Sequence, residues 1–65
     1  MILGKDVFIS DDVIIKNKNY TLIGDHVAID KGFYCTVQLS IKDYVHIGPY
    51  TIVIGGKNSK LSMEN

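Results

Sequence analysis

The sequence predicts an all-β fold in which short strands stack as a parallel coil, and three observations indicate it. Apolar residues recur at a spacing of six along most of the 65 residues. Six glycines in so short a chain indicate many tight turns. A hydrophobic fraction of 46% with a single proline argues against disorder. We therefore expect one ordered, turn-rich domain over residues 1–65.

The first of these observations is a repeat of six-residue blocks that begins at Leu3. The blocks are LGKDVF, ISDDVI, IKNKNYTL, IGDHVA, IDKGFY, CTVQLS, IKDYVH, IGPYTI and VIGGKN. The third block has two extra residues, and the leading position reads Leu3, Ile9, Ile15, Ile23, Ile29, Cys35, Ile41, Ile47 and Val53. Ile, Leu and Val fill eight of these nine positions, where their abundance alone predicts about three.

The fifth position of each block repeats almost as well. It holds Val7, Val13, Val27, Phe33, Leu39, Val45 and Thr51, and its exceptions are Asn19 and Lys57. The first and fifth positions of each block, four residues apart, are thus both apolar. This spacing fits neither the 3.6-residue period of a helix nor the apolar–polar alternation of a single strand. Each block is long enough for a short strand and a corner, but too short for a helix.

The blocks IGDHVAIDKGFY and IKDYVHIGPYTIVIGG resemble the left-handed β-helix acyltransferases, specifically bacterial enzymes that acetylate sugars of surface polysaccharides or nucleotide-linked amino sugars. The resemblance covers residues 3–58. It implies a left-handed coil with three blocks per turn, whereas ordinary crossover physics favours the right hand. It also implies a homotrimer with acetyl-CoA in the clefts between subunits. Because such enzymes usually have many more coils, the chain is expected to be a truncated fragment.

With the three blocks per coil and the left hand that the resemblance implies, the expected fold is a left-handed parallel β-helix of about three triangular coils, covering 3–22, 23–40 and 41–58. Successive coils pair about 4.8 Å apart. The two extra residues, within 17–19, belong at a corner because a bulge on a face would break the ladder. Residues 59–65 are expected to form a polar tail. The stacked core columns are Leu3, Ile23 and Ile41; Ile9, Ile29 and Ile47; and Ile15, Cys35 and Val53.

Transfer of an acyl group to a sugar hydroxyl needs a base for the acceptor proton, and histidine suits that role near neutral pH. His46 closes its block before a corner, and its stacked counterpart, Ala28, leaves room for a substrate group. The segment YVHIGPYTIVIGG resembles sugar O-acetyltransferases in which such a histidine lines the active site, which implies His46 as the base. Related N-acetyltransferases carry their histidine about nine residues earlier, where Val37 stands. Otherwise the base lies beyond residue 65 and His46 is a corner residue.

Two further elements are candidates for the site. Asp30 should stack over Gly48, close enough to His46 to orient its ring. Gly55 and Gly56 could offer a backbone amide to the acyl oxygen or the pantetheine arm of acetyl-CoA, although a plain corner is the alternative.

The remaining reactive side chains are expected to be structural. His26 should stand on a solvated face in one column with Asp6 and Tyr44. Cys35 lies in a core column, so it is expected to be a buried apolar residue and not a nucleophile. The pair Asp11 and Asp12 is expected to bond backbone amides at a corner.

The charge balance and the positions of the two histidines argue against several classes of protein. Seven basic residues match seven acidic ones, which predicts no binding to nucleic acid, and no apolar run is long enough for a membrane span. We therefore expect a cytoplasmic protein, and the resemblance implies that it acts on a sugar or nucleotide-sugar acceptor. No metal is expected. A γ-class carbonic anhydrase holds zinc with three histidines, two from one subunit and one from its neighbour, whereas His26 and His46 occupy different columns of their blocks and should not converge on one metal. The competing hypothesis is a non-catalytic module that only holds a trimer together.

Overall fold

The structure is a computed structural model that describes residues 1–56 and 58–64. This part of the chain is built from short strands and one 3-10 turn at Lys18–Tyr20. The strands are β1 Ile2–Leu3, β2 Phe8–Ile9, β3 Ile14–Ile15, β4 Thr21–Ile23, β5 Ala28–Ile29, β6 Tyr34–Cys35, β7 Gln38–Ile41, β8 His46–Ile47, β9 Ile52–Val53 and β10 Lys60–Met63.

The strands form three parallel sheets, one for each face of the coil. Sheet A has the order β1-β4-β7-β10, sheet B the order β2-β5-β8 and sheet C the order β3-β6-β9. Consecutive strands enter consecutive sheets, so the chain visits all three faces before it returns to the first. The predicted all-β fold, a parallel β-helix of about three coils, is therefore confirmed.

The register of the sheets reproduces all three predicted core columns. Leu3 pairs with Ile23 and Ile23 with Ile41 in sheet A, and the columns of sheets B and C follow the same rule. The middle coil is the most deeply buried because it has a coil on either side. Its side chains Ile29, Phe33 and Cys35 are all 0% exposed.

The C-terminal segment departs from the prediction. Residues 60–63 do not belong to a polar tail, because they form β10 and place Met63 opposite Ile41. The next inward leading residue after Val53 is therefore Met63, ten residues on, and the block VIGGKN is not a regular six. Leu61 and Met63 are half-buried while their neighbours are exposed, so the inward residues of this strand alternate and do not follow the period of six. Lys57 lies outside the described residues.

The extra residues of the first coil lie at the corner between sheets C and A, as predicted. The N–H of Tyr20 and the hydroxyl of Thr21 both donate to the carbonyl of Asn17, at 3.0 and 2.8 Å. Thr21 is 1% exposed and pairs with Leu39. Thr21 therefore occupies the inward fifth position of this block. Counting without the two extra residues had assigned that position to Asn19, which explains why Asn19 breaks the apolar pattern.

Close backbone contact between coils marks the corner between sheets A and B. Carboxylate Oδ1 of Asp43 accepts the N–H of Asp25 at 2.7 Å, and Oδ1 of Asp25 accepts the N–H of Lys5 at 2.8 Å. A Cβ atom on Gly24 would approach the backbone nitrogen of Asp43 to 2.9 Å, too close for an unstrained contact. Glycine at position 24 thus allows the coils to approach closely enough for the hydrogen bonds of Asp25 and Asp43 to form.

We expect Gly24→Ala to lower the free energy of unfolding by about 1–3 kcal/mol, since the added methyl group must push the neighbouring coil away. The matched control is Gly48→Ala, because a Cβ there meets no atom within 4 Å. The control should leave stability unchanged or raise it by up to about 1 kcal/mol. Urea denaturation followed by circular dichroism measures both, and equal losses in the two variants would contradict the close-contact account.

Candidate functional site

His46 lies on the outer face of sheet B, and its carboxylate neighbour is Asp30. His46 begins β8 and pairs with Ala28, so the predicted stacking on a small residue is confirmed. Its Nε2 is 3.8 Å from Oδ2 of Asp30, and the two side chains are 66% and 43% exposed. The structure therefore brings the two candidate residues together on an open surface, at the distance of a loose ion pair.

The sequence places both side chains in a defined way. His46 points outward because Ile47 and Val45, on either side of it, point into the coil. Asp30 follows β5, and its Oδ1 accepts the N–H of Lys31 at 2.8 Å. That bond fixes the carboxyl group and leaves Oδ2 on the side of the imidazole. The anchoring amide of Lys31 was not predicted, since it depends on the backbone path at the corner.

The second histidine is engaged within the corner between sheets A and B. His26 Nδ1 is 3.4 Å from Oδ2 of Asp6, and its ring stacks on Tyr44 with the centroids 4.9 Å apart. The predicted column of these three residues is confirmed. All three adopt left-handed backbone angles, with φ between 55° and 61°. His26 thus links three successive coils, which is a structural role.

The glycine pair lies elsewhere, at the corner between sheets C and A, which is the corner that does not border sheet B. The N–H of Gly55 donates to Oγ1 of Thr36, and this hydroxyl donates to the Gly55 carbonyl, both at 2.9 Å. A Cβ on Gly55 would lie 2.7 Å from Cγ1 of Val37, and the carbonyl of Gly56 accepts the N–H of Ser59 at 2.9 Å. Within one chain the fold does not bring this pair to His46, and the Gly55 amide is used by the corner.

The thiol of Cys35 has no role in the candidate site. It is 0% exposed, and its Sγ lies 3.6 Å from the carbonyl oxygen of Val37. Burial raises the pKa of the thiol, which disfavours the thiolate that a nucleophile requires. Cys35 is therefore the buried core residue that its column predicted.

The corner between sheets B and C contains Asp12, one of the paired acidic residues. Its Oδ1 accepts the N–H of Gly32 at 3.1 Å and the hydroxyl of Ser10 at 3.0 Å. The Gly32 bond is the main reason that the pKa of this carboxyl lies below its ordinary value. Asp12 thus bonds a backbone amide at a corner, as predicted, and stays ionised.

Two further properties concern the described residues 1–56 and 58–64. No group of three or more His, Cys, Asp or Glu side chains there is arranged to hold a metal ion. No helix in the same residues has the length and hydropathy needed to cross a membrane.

These features define the class of the protein as a three-sided parallel β-helix with an exposed histidine–aspartate pair on one face. Comparisons with models of protein families, with curated proteins and with solved structures found no match for this chain.

Proposed function

We propose that this protein is a cytoplasmic acyltransferase that moves an acetyl group from acetyl-CoA to a sugar hydroxyl in the synthesis of a surface polysaccharide. The observation that carries the proposal is the exposed imidazole of His46, which lies 3.8 Å from the carboxylate of Asp30 beside the small side chain of Ala28. The resemblance of YVHIGPYTIVIGG to sugar O-acetyltransferases supports it.

In the proposed reaction, neutral His46 takes the proton of the acceptor hydroxyl as the hydroxyl oxygen attacks the thioester carbonyl. The new C–O bond forms, the C–S bond breaks, and the proton passes from the imidazolium to the departing thiolate. Asp30 stabilises the imidazolium and keeps the ring turned towards the acceptor, as a carboxylate does in other histidine-based sites. Its own orientation is held by the N–H of Lys31.

The assay is acetyl transfer by the intact chain. Acetyl-CoA is incubated with acetyl-free oligosaccharides and with nucleotide sugars, and the release of the CoA thiol is followed together with the mass of the acceptor. We expect the acceptor mass to increase by one acetyl group and calorimetry to detect binding of acetyl-CoA. Absence of both transfer and binding would refute the proposal.

A second candidate function, a non-catalytic trimerisation module, is favoured by the outer face of sheet C. Ile14, Tyr34 and Ile52 pair in register down this face, and Ile54 follows β9 beside them. Ile52 and Ile54 are 63% and 74% exposed. A continuous apolar column of this kind marks a surface that is covered in an assembly. We propose that sheet C is the face that meets other copies in a homotrimer, with or without catalysis.

We expect Ile52→Asp to abolish self-association, because a carboxylate would be desolvated in the middle of the contact. The matched control is Ile2→Asp, since Ile2 is 67% exposed but lies on sheet A. Sedimentation equilibrium should give three times the chain mass for the wild type and the control, and the chain mass for Ile52→Asp. Loss of assembly in the control alone would place the contact on sheet A instead.

A further inference from the structure

Both described departures from the six-residue repeat fall at the corner between sheets C and A. The first coil inserts its extra residues between Ile15 and Thr21, and the third inserts its own between Val53 and Lys60. In repeat proteins, insertions gather on one face, which is often the binding face. This corner, called here the irregular corner, is therefore a candidate for a ligand site that the His46 chemistry does not use.

A groove of about 310 Å³ lies at the foot of the irregular corner, on the outer face of sheet A. Its volume is at the lower end of the range for small-molecule sites. Three coils contribute to it, and the residues that matter for recognition are Tyr20, Leu22, Gln38, Ser40, Lys60 and Ser62. The groove is on a different sheet from His46, so it is separate from the candidate active site.

The wall of the groove is the ring of Tyr20, which is 61% exposed. Its backbone is fixed, because the N–H of Tyr20 donates to the carbonyl of Asn17 at 3.0 Å. The side-chain amide of Asn17 donates in turn to the carbonyl of Thr36, in the next coil, at 3.2 Å. The backbone that carries the aromatic ring is therefore held in place before a ligand binds, which lowers the ordering cost of binding.

The floor of the groove alternates apolar and polar groups. Leu22 is 52% exposed and pairs with Ser40, which pairs with Ser62. Gln38 pairs with Lys60 in the same two strands. An aromatic face beside a row of hydroxyl, amide and ammonium groups matches a pyranose ring, which has apolar C–H faces and a rim of hydroxyl groups.

The aspartates of this neutral chain are concentrated at two of its three corners, which also hold Lys5, Lys31 and Lys42. All six aspartates lie at or beside these two corners, at positions Asp6, Asp11, Asp12, Asp25, Asp30 and Asp43. The irregular corner instead has Lys16, Lys18 and Lys60, and no acidic residue lies in 13–24 or 44–63; the single glutamate, Glu64, follows β10 at its far end. The local field therefore attracts anions, although the net charge of the protein is zero.

We propose that the groove on sheet A binds an anionic saccharide, with its sugar ring against Tyr20 and its carboxylate or phosphate at Lys60. The site is additional to the acetyl-transfer site and does not depend on it. It would hold a charged polysaccharide segment on a different face from His46.

The test is titration of the full chain, labelled with ¹⁵N, with trigalacturonate, with galactose 1-phosphate and with neutral maltotriose. We expect the acidic probes to shift the amide signals of Tyr20, Leu22, Ser40 and Lys60, and the stronger acidic probe identifies the preferred acid group. Maltotriose should bind at least about tenfold more weakly, because it lacks the charge that Lys60 would pair.

Two variants and two matched controls complete the test. Tyr20→Ala and Lys60→Gln should each weaken binding of the acidic probe about tenfold. Tyr50→Ala and Lys31→Gln should leave binding of the acidic probe unchanged. These two residues also pair an exposed aromatic ring with a lysine, since Tyr50 is 66% exposed and Lys31 Nζ lies 5.7 Å from its ring centroid, but they lie at a different corner from the groove. All four of these side chains are exposed, so all four variants should fold.

The proposal is overturned if no signal of the groove shifts, if maltotriose binds equally well, or if the controls weaken binding as much as the variants. Displacement of the acidic probe by coenzyme A would also overturn it, because the groove would then belong to the acyl donor. No acetyl transfer is measured in this experiment, so its failure leaves the proposed enzymatic function to its own assay.

Discussion

Phe33→Ala is expected to lower the free energy of unfolding by about 3–5 kcal/mol. Phe33 is 0% exposed and is the largest of the fully buried side chains by volume. It fills the inward fifth position of the middle coil, where coils above and below prevent the gap from closing. A chain of this length has a total stability of only about 3–10 kcal/mol at typical values per residue. Most or all of the folded state should therefore be lost at ambient temperature.

The only other phenylalanine provides the control for this prediction. Phe8 is 60% exposed on the outer face of sheet B, and Phe8→Ala should change stability by about 0.5 kcal/mol or less. Urea denaturation followed by circular dichroism at 25 °C compares the two variants with the wild type. If both tolerate the change equally well, Phe33 is not in the core and the coil register is wrong.

His46→Ala is expected to slow acetyl transfer by about 10²–10⁴-fold, the usual contribution of a positioned general base. Stability should be unchanged, because the side chain is 66% exposed. Asp30→Asn should slow transfer less, since the amide keeps the shape of the carboxylate and loses only its charge. The measurement is the rate of CoA thiol release at saturating acetyl-CoA.

His26→Ala is the natural control, since the chain has two histidines. It removes the contacts of His26 with Asp6 and Tyr44, so a small loss of stability is expected while acetyl transfer at a temperature where the variant is folded stays close to wild type. Full activity in His46→Ala would contradict the assignment of the base. A greater loss of activity in His26→Ala would move that role to the corner between sheets A and B.

The core columns could be predicted because a parallel coil repeats the same side chains at the same depth. Each leading residue from Leu3 to Val53 therefore identified its neighbours above and below. The left hand of the coil stays a prediction from the resemblance. The strand β10 could not be found in this way, because six residues, 54–59, separate it from β9 and put Met63 ten residues after Val53 instead of six. Its inward residues, Leu61 and Met63, fall outside the period of six.

The candidate site was predictable where it depends on stacking alone. The neighbourhood of Asp30 and His46 follows from the pairing of Ile29 with Ile47, and the structure confirms it. The fate of the Gly55 amide does not follow from the repeat, since the hydroxyl of Thr36 reaches it from another coil. Left-handed angles at Asp6, His26 and Tyr44 were likewise missed, because none of them is glycine.

The pairing of each strand with the coil above it also governs how the chain folds. Ile23 pairs with residues 20 positions before and 18 after it, and Ile41 with one 22 positions after it. Each such pair closes a loop of similar length, and the entropy lost grows only slowly with loop size. Once two coils have met, every further side adds to an existing template, as in other stacked repeats. The rate-limiting step of folding should thus be the pairing of the first two coils. The remaining coil then adds strand by strand to the sheets that already exist.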